Sequence, residues 1–355
     1  MSLTVCRASS AMTADKAFIA DELRPYLRDL LTGEQNAWKE HGAPWRDPPR
    51  ALAAYLDGGK ALRPRFCYWG HAITGEDSGT LLLQACAALE LLHAFALIHD
   101  DLMDNSATRR GRAALHLEIA GQHRQHGWAG DPDRYGHAIA LLTGDLAFAV
   151  ASRLAAALPA PALAVWSRMV DELVLGQFLD LSGAARQDRS LGVARTTTLL
   201  KSARYTVTGP LRLGAALAGA ASLPPGLVRY GDLVGEAFQL RDDLLGVFGD
   251  PQLTGKPVGE DLACGKPTQL LAYAAGMLPP QAQALLALAG SCALTGADVA
   301  ALAGELARCG AQDHVERKIR GNVEAACALV DTEALPSPAA AALHNLALAA
   351  TDRQQ

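Results

Sequence analysis

Apolar positions recur along the chain three and four residues apart, the period of a helix with one buried face, and no stretch alternates apolar and polar residues well enough to predict a sheet. Helix boundaries are legible too. In "RDPPRALAAYLDGGK" Asp47 suits an N-cap, Pro48 the first helical position and Gly58 the C-terminal stop. Further breaks are predicted at Pro159–Pro161, Leu223–Gly226, Pro279–Pro280 and Pro336–Pro338. The polar stretch "GQHRQHGWAGDPDRYGH" reads as an exposed connecting loop, because His123 and His126 lack the companion Cys or carboxylate spacing of a metal loop. With no internal repeat and no Gly/Ser or charged linker, the 355 residues predict a single all-α domain over 13–350 behind a flexible stretch 1–12.

Composition strengthens the helical reading. Half the residues are hydrophobic but only 5% are aromatic, so Ala and Leu carry the apolar content, and both lose little freedom in a helix. A formal charge of -5 gives no reason to expect nucleic acid. Cys6, Cys67, Cys86, Cys264, Cys292, Cys309 and Cys327 are scattered, with neither zinc spacing nor a disulfide framework, which predicts reduced thiols and a cytoplasmic protein. The N-terminus lacks a charged n-region followed by an apolar h-region. The apolar run from Ala282 to Ala307 is broken by Gln283, Gly290, Gly296, Asp298 and Gly304, so no transmembrane segment is expected.

Chemistry is concentrated at two places where an apolar helical run ends in carboxylates. In "ALIHDDLMDNSATRRG", Asp100 and Asp104 are one turn apart on a face that also carries Leu97 and His93, with Asp101 beside them. Acidic trios also decorate solvated helix faces, but here the run before the trio is apolar on nearly all sides, which favours a cavity. In "FQLRDDLLGVFGD", Gln239 precedes Asp242 by one turn and Asp243 follows. Oxygen-rich clusters of this type suit a hard cation, magnesium above all, which keeps waters, takes one or two carboxylates and bridges to phosphates. Only seven of the 32 Lys and Arg residues are lysine, and Lys60, Lys201, Lys256 and Lys266 sit in short polar or Gly-flanked contexts suited to phosphate. Arg63, Arg109 and Arg110 add planar forks for the same purpose.

From "GGKALRPR" to "GEDLACGKPT" these motifs, in this order, make the chain resemble the trans-isoprenyl diphosphate synthases of the polyprenyl synthetase family. The resemblance implies a single-domain bundle of long helices around a central cavity (the isoprenoid synthase type I fold), usually a homodimer, with two aspartate motifs facing each other. It implies that Asp100 and Asp104 ligate two magnesium ions with support from Asp101, and that Asp242 holds a third with help from Asp243. Lys60, Arg63, His93 and Arg110 match the set that binds isopentenyl diphosphate. Arg109, Lys201, Lys256 and Lys266 match the set that holds the allylic diphosphate, with Ser202 and Gln239 as polar positions of that site. In many members the second motif reads D-D-x-x-D, whereas here Gly246 takes the last position; Asp250 could contribute through water, though a turn role before Pro251 suits it better.

The expected reaction is ionisation of an allylic diphosphate of C5, C10 or C15, attack by the double bond of isopentenyl diphosphate, proton loss and release of pyrophosphate. Phe95, five residues before Asp100, and Ala96 beside it are the candidates for the floor that limits chain length. Phe95 is either that floor or an ordinary core aromatic. An aromatic here points to a C20 product, geranylgeranyl diphosphate, with farnesyl or longer products as alternatives. A class I terpene cyclase or a noncatalytic synthase subunit fits less well, since "GGKALRPR", His93, Arg109 and Arg110 and both aspartate pairs are retained.

Overall fold

A computed structural model describes residues 14–42, 48–73, 79–249, 259–290 and 294–351. The expected flexible stretch 1–12, the N-cap Asp47, Asp250 and Lys256 lie outside the described residues. The helical period is realised as eighteen helical segments among them. In chain order these are α1 (Phe18–Leu23), α2 (Arg24–Glu40), α3 (Pro48–Leu56), α4 (Leu62–Ala72), α5 (Thr80–Met103), α6 (Leu115–His126), α7 (Pro132–Ala155), α8 (Ala160–Arg186), α9 (Leu191–Thr197), α10 (Thr198–Thr208), α11 (Gly209–Leu217) and α12 (Pro225–Phe248). They continue with α13 (Glu260–Ala263), α14 (Gln269–Ala274), α15 (Pro280–Leu288), α16 (Gly296–Arg308), α17 (Ala311–Thr332) and α18 (Ser337–Thr351). The chain divides into two units, Met1–Leu163 with Leu213–Ala220, and Ala164–Arg212 with Ala221–Gln355.

In the first unit α5 is the centre. It packs chiefly on α7 and also on α3 and α4, and this explains why it is apolar on nearly every side. Leu82, Leu89, Leu91, Leu92 and Ile98 are buried, each contributing about 1.5–3 kcal/mol of transfer free energy. By length and composition alone α5 and α7 could each cross a bilayer. The lack of a membrane span expected from the broken run at Ala282–Ala307 therefore does not follow from hydropathy, but the mutual packing of α5 and α7 accounts for their apolar character.

One expectation is corrected in this unit. The sequence "GQHRQHGWAGDPDRYGH" is exposed at most positions, but it is not a loop. Gly121–His126 completes α6, Pro132–His137 opens α7, and only 127–131 connects them. The Asp131 side chain caps α7 through the amides of Asp133 (2.8 Å) and Arg134 (3.2 Å). His123 is buried, its ring 5.1 Å from that of exposed Tyr135 and 5.8 Å from half-buried Trp128. The all-α expectation holds with one small addition, a two-stranded antiparallel ribbon, β1 (Thr108–Arg109) with β2 (Arg112–Ala113).

In the second unit α12 packs on α10 and α17. Glu236 of α12 is buried, and its carboxylate meets Lys318 Nζ at 2.9 Å, Arg195 Nε at 3.2 Å and Asn322 Nδ2 at 3.0 Å. Burial alone would raise its pKa; these donors outweigh that and keep it below the ordinary value. Tyr230, fully buried, donates a 2.7 Å hydrogen bond to the Leu343 carbonyl and ties α12 to α18.

Candidate active site

The first carboxylate cluster stands at the C-terminal end of α5, where the Asp104 amide bonds the Asp100 carbonyl at 2.8 Å and Asn105 turns the chain at φ 50°. Asp101 is buried at 1% exposure, against half-buried Asp100 and Asp104. A buried carboxylate needs a partner, and the short ribbon delivers one. With Arg109 and Arg112 paired across it, Arg110 and Gly111 form the turn with φ 52° and 74°, both positive, as a two-residue primed hairpin requires. Glycine at 111 meets that requirement without strain, which gives the pair "RRG" a backbone reason.

This turn sends Arg109 back to α5. Its Nε donates to Asp101 Oδ1 at 2.9 Å and Oδ2 at 3.1 Å, a second guanidinium nitrogen also meets Oδ1, and Asp100 Oδ2 is 3.6 Å away. Tyr55 of α3 donates to Asp101 Oδ2 at 2.8 Å. Burial would lower the Arg109 pKa, but the bonded Asp101, with Asp100, outweighs it and raises the pKa. Burial and the adjoining Asp101 raise the Tyr55 phenol well above its ordinary value, keeping it a donor. Arg110 Nη1 donates to the Tyr55 carbonyl at 3.1 Å.

Lys60 is exposed in the loop that follows Gly59, and Arg63 is buried on α4. His93 is half-buried on α5. One turn before it lies Glu90, whose carboxyl is raised in pKa by burial while Arg63, Arg110 and Arg24 pull it the other way. A cleft of about 400 Å³ has Arg50, Tyr55, Arg109, Arg110 and Arg112 on its walls, with Leu115 and Ile119 supplying apolar surface; Lys60, Arg63 and His93 do not line it. Phe95 packs its ring 5.0 Å from Phe148 of α7 and 4.6 Å from His99, with Ala96 half-buried next to it.

The second cluster is built on α12, α10 and α8. α10 is a π-helix, a form that recurs at functional sites, and it carries Lys201 and Ser202. Lys201 Nζ meets Asp180 of α8 at 2.6 Å. Ser202 Oγ donates to Gln239 Oε1 at 2.5 Å, and Gln239 Nε2 donates to Asp243 Oδ1 at 2.8 Å. Asp243 is buried and its pKa is pushed up to about 8, first by burial, then by Asp261, Asp242 and Asp180 against the opposing Gln239 bond. Lys266 Nζ lies 3.6 Å from Asp261. Every predicted site residue except Lys256 thus falls among the described residues.

Tyr55, Glu90, Asp180 and Asp261 escaped the sequence reading. A faint signal existed for Asp180, a lone carboxylate in the apolar run "VLGQFLDLS", and for Asp261, five residues before Lys266. The clusters have the oxygen-only donor chemistry that magnesium takes. Among the described residues no three His, Cys, Asp or Glu side chains form a ready-made metal cage. That suits an ion completed by phosphates and waters better than one caged by protein alone.

Acids beside arginines and lysines, set at helix ends before any ligand arrives, are the equipment of enzymes that handle phosphorylated substrates. Comparison with known proteins narrows this class. The model of the polyprenyl synthetase family matches residues 49–305. A Mycobacterium bovis protein named (2E,6E)-farnesyl diphosphate synthase is 32% identical over 346 residues, covering 95% of this chain and 89% of its own. A Mycobacterium tuberculosis geranylgeranyl diphosphate synthase is 33% identical over 312 residues, covering 85% of this chain and 83% of its own. The crystal structure of a Corynebacterium glutamicum geranylgeranyl pyrophosphate synthase complexed with isoprenyl diphosphate and magnesium superposes with a TM-score of 0.83 at 35% identity, covering 94% of this chain and 99% of its own. The chain belongs to the polyprenyl synthetase family. It is a prenyl diphosphate synthase with the all-α isoprenoid synthase fold.

Proposed function

We propose that this protein is a magnesium-dependent synthase that extends an allylic diphosphate with isopentenyl diphosphate to geranylgeranyl diphosphate. The observation that carries the reading is that two helices end in carboxylate pairs with basic side chains close by, Arg109 on Asp101 and Lys201 on Asp180, as binding and ionising a metal-bound diphosphate requires. Asp100, Asp104 and Asp242 would hold magnesium, with Asp101 and Asp243 in support. Bound magnesium supplies charge neutralisation on the leaving diphosphate.

The protein's own residues do the rest. Asp180 aims the Lys201 ammonium, and Lys201 and Lys266 are the cations of the second unit that would hold the allylic diphosphate. Lys60, Arg63, His93 and Arg110 hold isopentenyl diphosphate. The allylic C–O bond breaks, the isopentenyl double bond attacks the allylic carbon to form the new C–C bond, and the proton released goes to the displaced pyrophosphate. Positioning and electrostatics account for such catalysis without a side-chain nucleophile.

For product length the supporting feature is the Phe95–Phe148 pair, a double aromatic floor shared by α5 and α7. The farnesyl alternative draws on the Mycobacterium bovis relative, whose likeness spans 95% of this chain. Incubation with labelled isopentenyl diphosphate, magnesium and each of the C5, C10 and C15 allylic diphosphates decides between them. No elongation with any primer overturns the reading. Phe95→Ala and Phe148→Ala should each lengthen the products, and unchanged lengths in both would remove the floor.

We also propose a homodimer. Val174, Phe178 and Leu181 form an exposed apolar stripe on α8, with Phe178 60% exposed. Phe178→Glu should reduce the mass measured by light scattering from two chains to one.

A further inference from the structure

Lys266 stands in the connection 264–268 between α13 and α14, so no helix fixes its backbone. An ammonium on a flexible four-carbon stem meets a diphosphate reproducibly only if the stem starts from a fixed point. A second connection, 187–190 between α8 and α9, supplies that point. Arg189 turns its guanidinium towards 264–268, where one terminal nitrogen donates to the Gly265 carbonyl at 2.8 Å and reaches the Lys266 carbonyl at 3.4 Å. Close packing flanks these bonds. A Cβ placed on Gly183 of α8 would lie 2.9 Å from the Pro267 ring, and one placed on Gly265, at φ 67°, would lie 2.8 Å from the Ala289 carbonyl. The Lys266 amide in turn donates to the Asp261 carbonyl at 3.1 Å.

Arginine is a costly residue for this task. Among the described residues no carboxylate pairs with Arg189, its second terminal nitrogen is enclosed without an acceptor, and burial lowers its pKa. A neutral amide can bond a carbonyl as well, and Gln187 of the same connection does so, donating to the Ala287 carbonyl at 2.9 Å. A guanidinium kept without a counter-ion leaves positive charge beside Lys266, which is useful where the ligand itself is the anion.

We infer that Arg189 is a positioning residue for the condensation: it fixes the backbone of Lys266 so that the ammonium meets the allylic diphosphate, and it does not touch the substrate itself. This rests on the synthase reading above. A merely structural tie between two connections would lower stability and leave substrate affinities alone.

The test is a double-mutant cycle on the full-length enzyme, read as kcat and KM for the allylic diphosphate and, separately, for isopentenyl diphosphate, with folding checked by circular dichroism. Arg189→Met should raise the KM for the allylic diphosphate by about tenfold or more and leave that for isopentenyl diphosphate within about twofold of wild type. Lys266→Met should raise the same KM, and combining the two substitutions should add nothing further. Arg189→Lys keeps the charge and one donor, so it should recover part of the loss; if Arg189→Met does not fold, Arg189→Lys takes its place in the cycle. Gln187→Ala, which breaks only the neighbouring bond to Ala287, should leave both KM values as in wild type. An unchanged allylic KM in the Arg189 variant of the cycle, additive losses with Lys266→Met, or an equal rise in Gln187→Ala each overturns the inference while the synthase reading stands. If the wild-type protein elongates no primer, the synthase reading and this inference fall together.

Discussion

The two aspartate clusters share a sequence pattern, an apolar helix ending in a carboxylate pair, yet they manage their buried acid in opposite ways. Asp101 is buried against a guanidinium and a phenol, and both donate hydrogen bonds to its carboxylate. Asp243 is equally enclosed, but its bonded partner is the neutral amide of Gln239 and its charged neighbours are three other carboxylates, so its proton is retained up to about pH 8. In the first cluster the guanidinium bonds the buried acid itself, whereas in the second Lys201 and Lys266 meet Asp180 and Asp261 and the buried Asp243 is bonded by an amide. Identical D-D pairs therefore do not imply identical electrostatics, because the deciding partners come from elsewhere in the chain.

The largest effect should come from removing the counter-charge of the first cluster. Arg109→Met leaves Asp101 buried without its counter-charge, bonded by the Tyr55 hydroxyl, a change expected to cost about 3–5 kcal/mol of stability. Synthase turnover should fall by about 10²- to 10³-fold as one positioned cation is lost. Thermal melting and steady-state assays check the two parts separately. A variant as stable as wild type would mean that Asp101 finds another partner, and the contrast between the clusters would disappear.

The second cluster should reveal itself through pH. The ordinary carboxyl pKa is 3.8 and that of folded Asp243 is about 8, a raised value. A raised folded pKa contributes stability that is complete below about pH 4 and is lost as pH rises towards 8, by at most about 1.4 kcal/mol per unit. Denaturant titrations of the ligand-free protein across that window should show the decline. Asp243→Asn should flatten it, as should magnesium with pyrophosphate. A slope that survives in Asp243→Asn would place its origin elsewhere.

The two clusters were also unequally legible from sequence. The stripe His93, Leu97, Asp100 and Asp104 is readable because one helix carries all of it at a known period. Arg109 and Arg110 could be named as candidates, but not the ribbon that aims them, since two-residue strands leave no alternating pattern. Tyr55, Asp180 and Asp261 reach their clusters from separate elements, which spacing along one helix cannot reveal. The π-form of α10 is equally silent, because a shift from i+4 to i+5 bonding leaves composition unchanged. The misread stretch at Gly121–His137 fails for a further reason: its residues are mostly exposed, as polar composition suggests, yet they lie on the end of α6 and the start of α7, where exposure does not distinguish a helix face from a loop.

The smallest expected change, Gly246→Ala, separates two opposing effects at the second cluster. Alanine is the better helix former by about 0.8–1 kcal/mol, and on an open helix surface it would stabilise α12. Here the added methyl would meet the end of the Asp261 side chain, which can rotate, so the clash is relieved by moving the carboxylate and not by unfolding the helix. Stability should therefore change by less than about 1 kcal/mol in either direction. The affinity for pyrophosphate should fall all the same, since the carboxylate that moves is the one 3.6 Å from the Lys266 ammonium. Melting curves and pyrophosphate titrations of this single variant measure the two quantities independently. A gain in stability with pyrophosphate affinity intact would show that the second cluster works without a carboxylate over position 246.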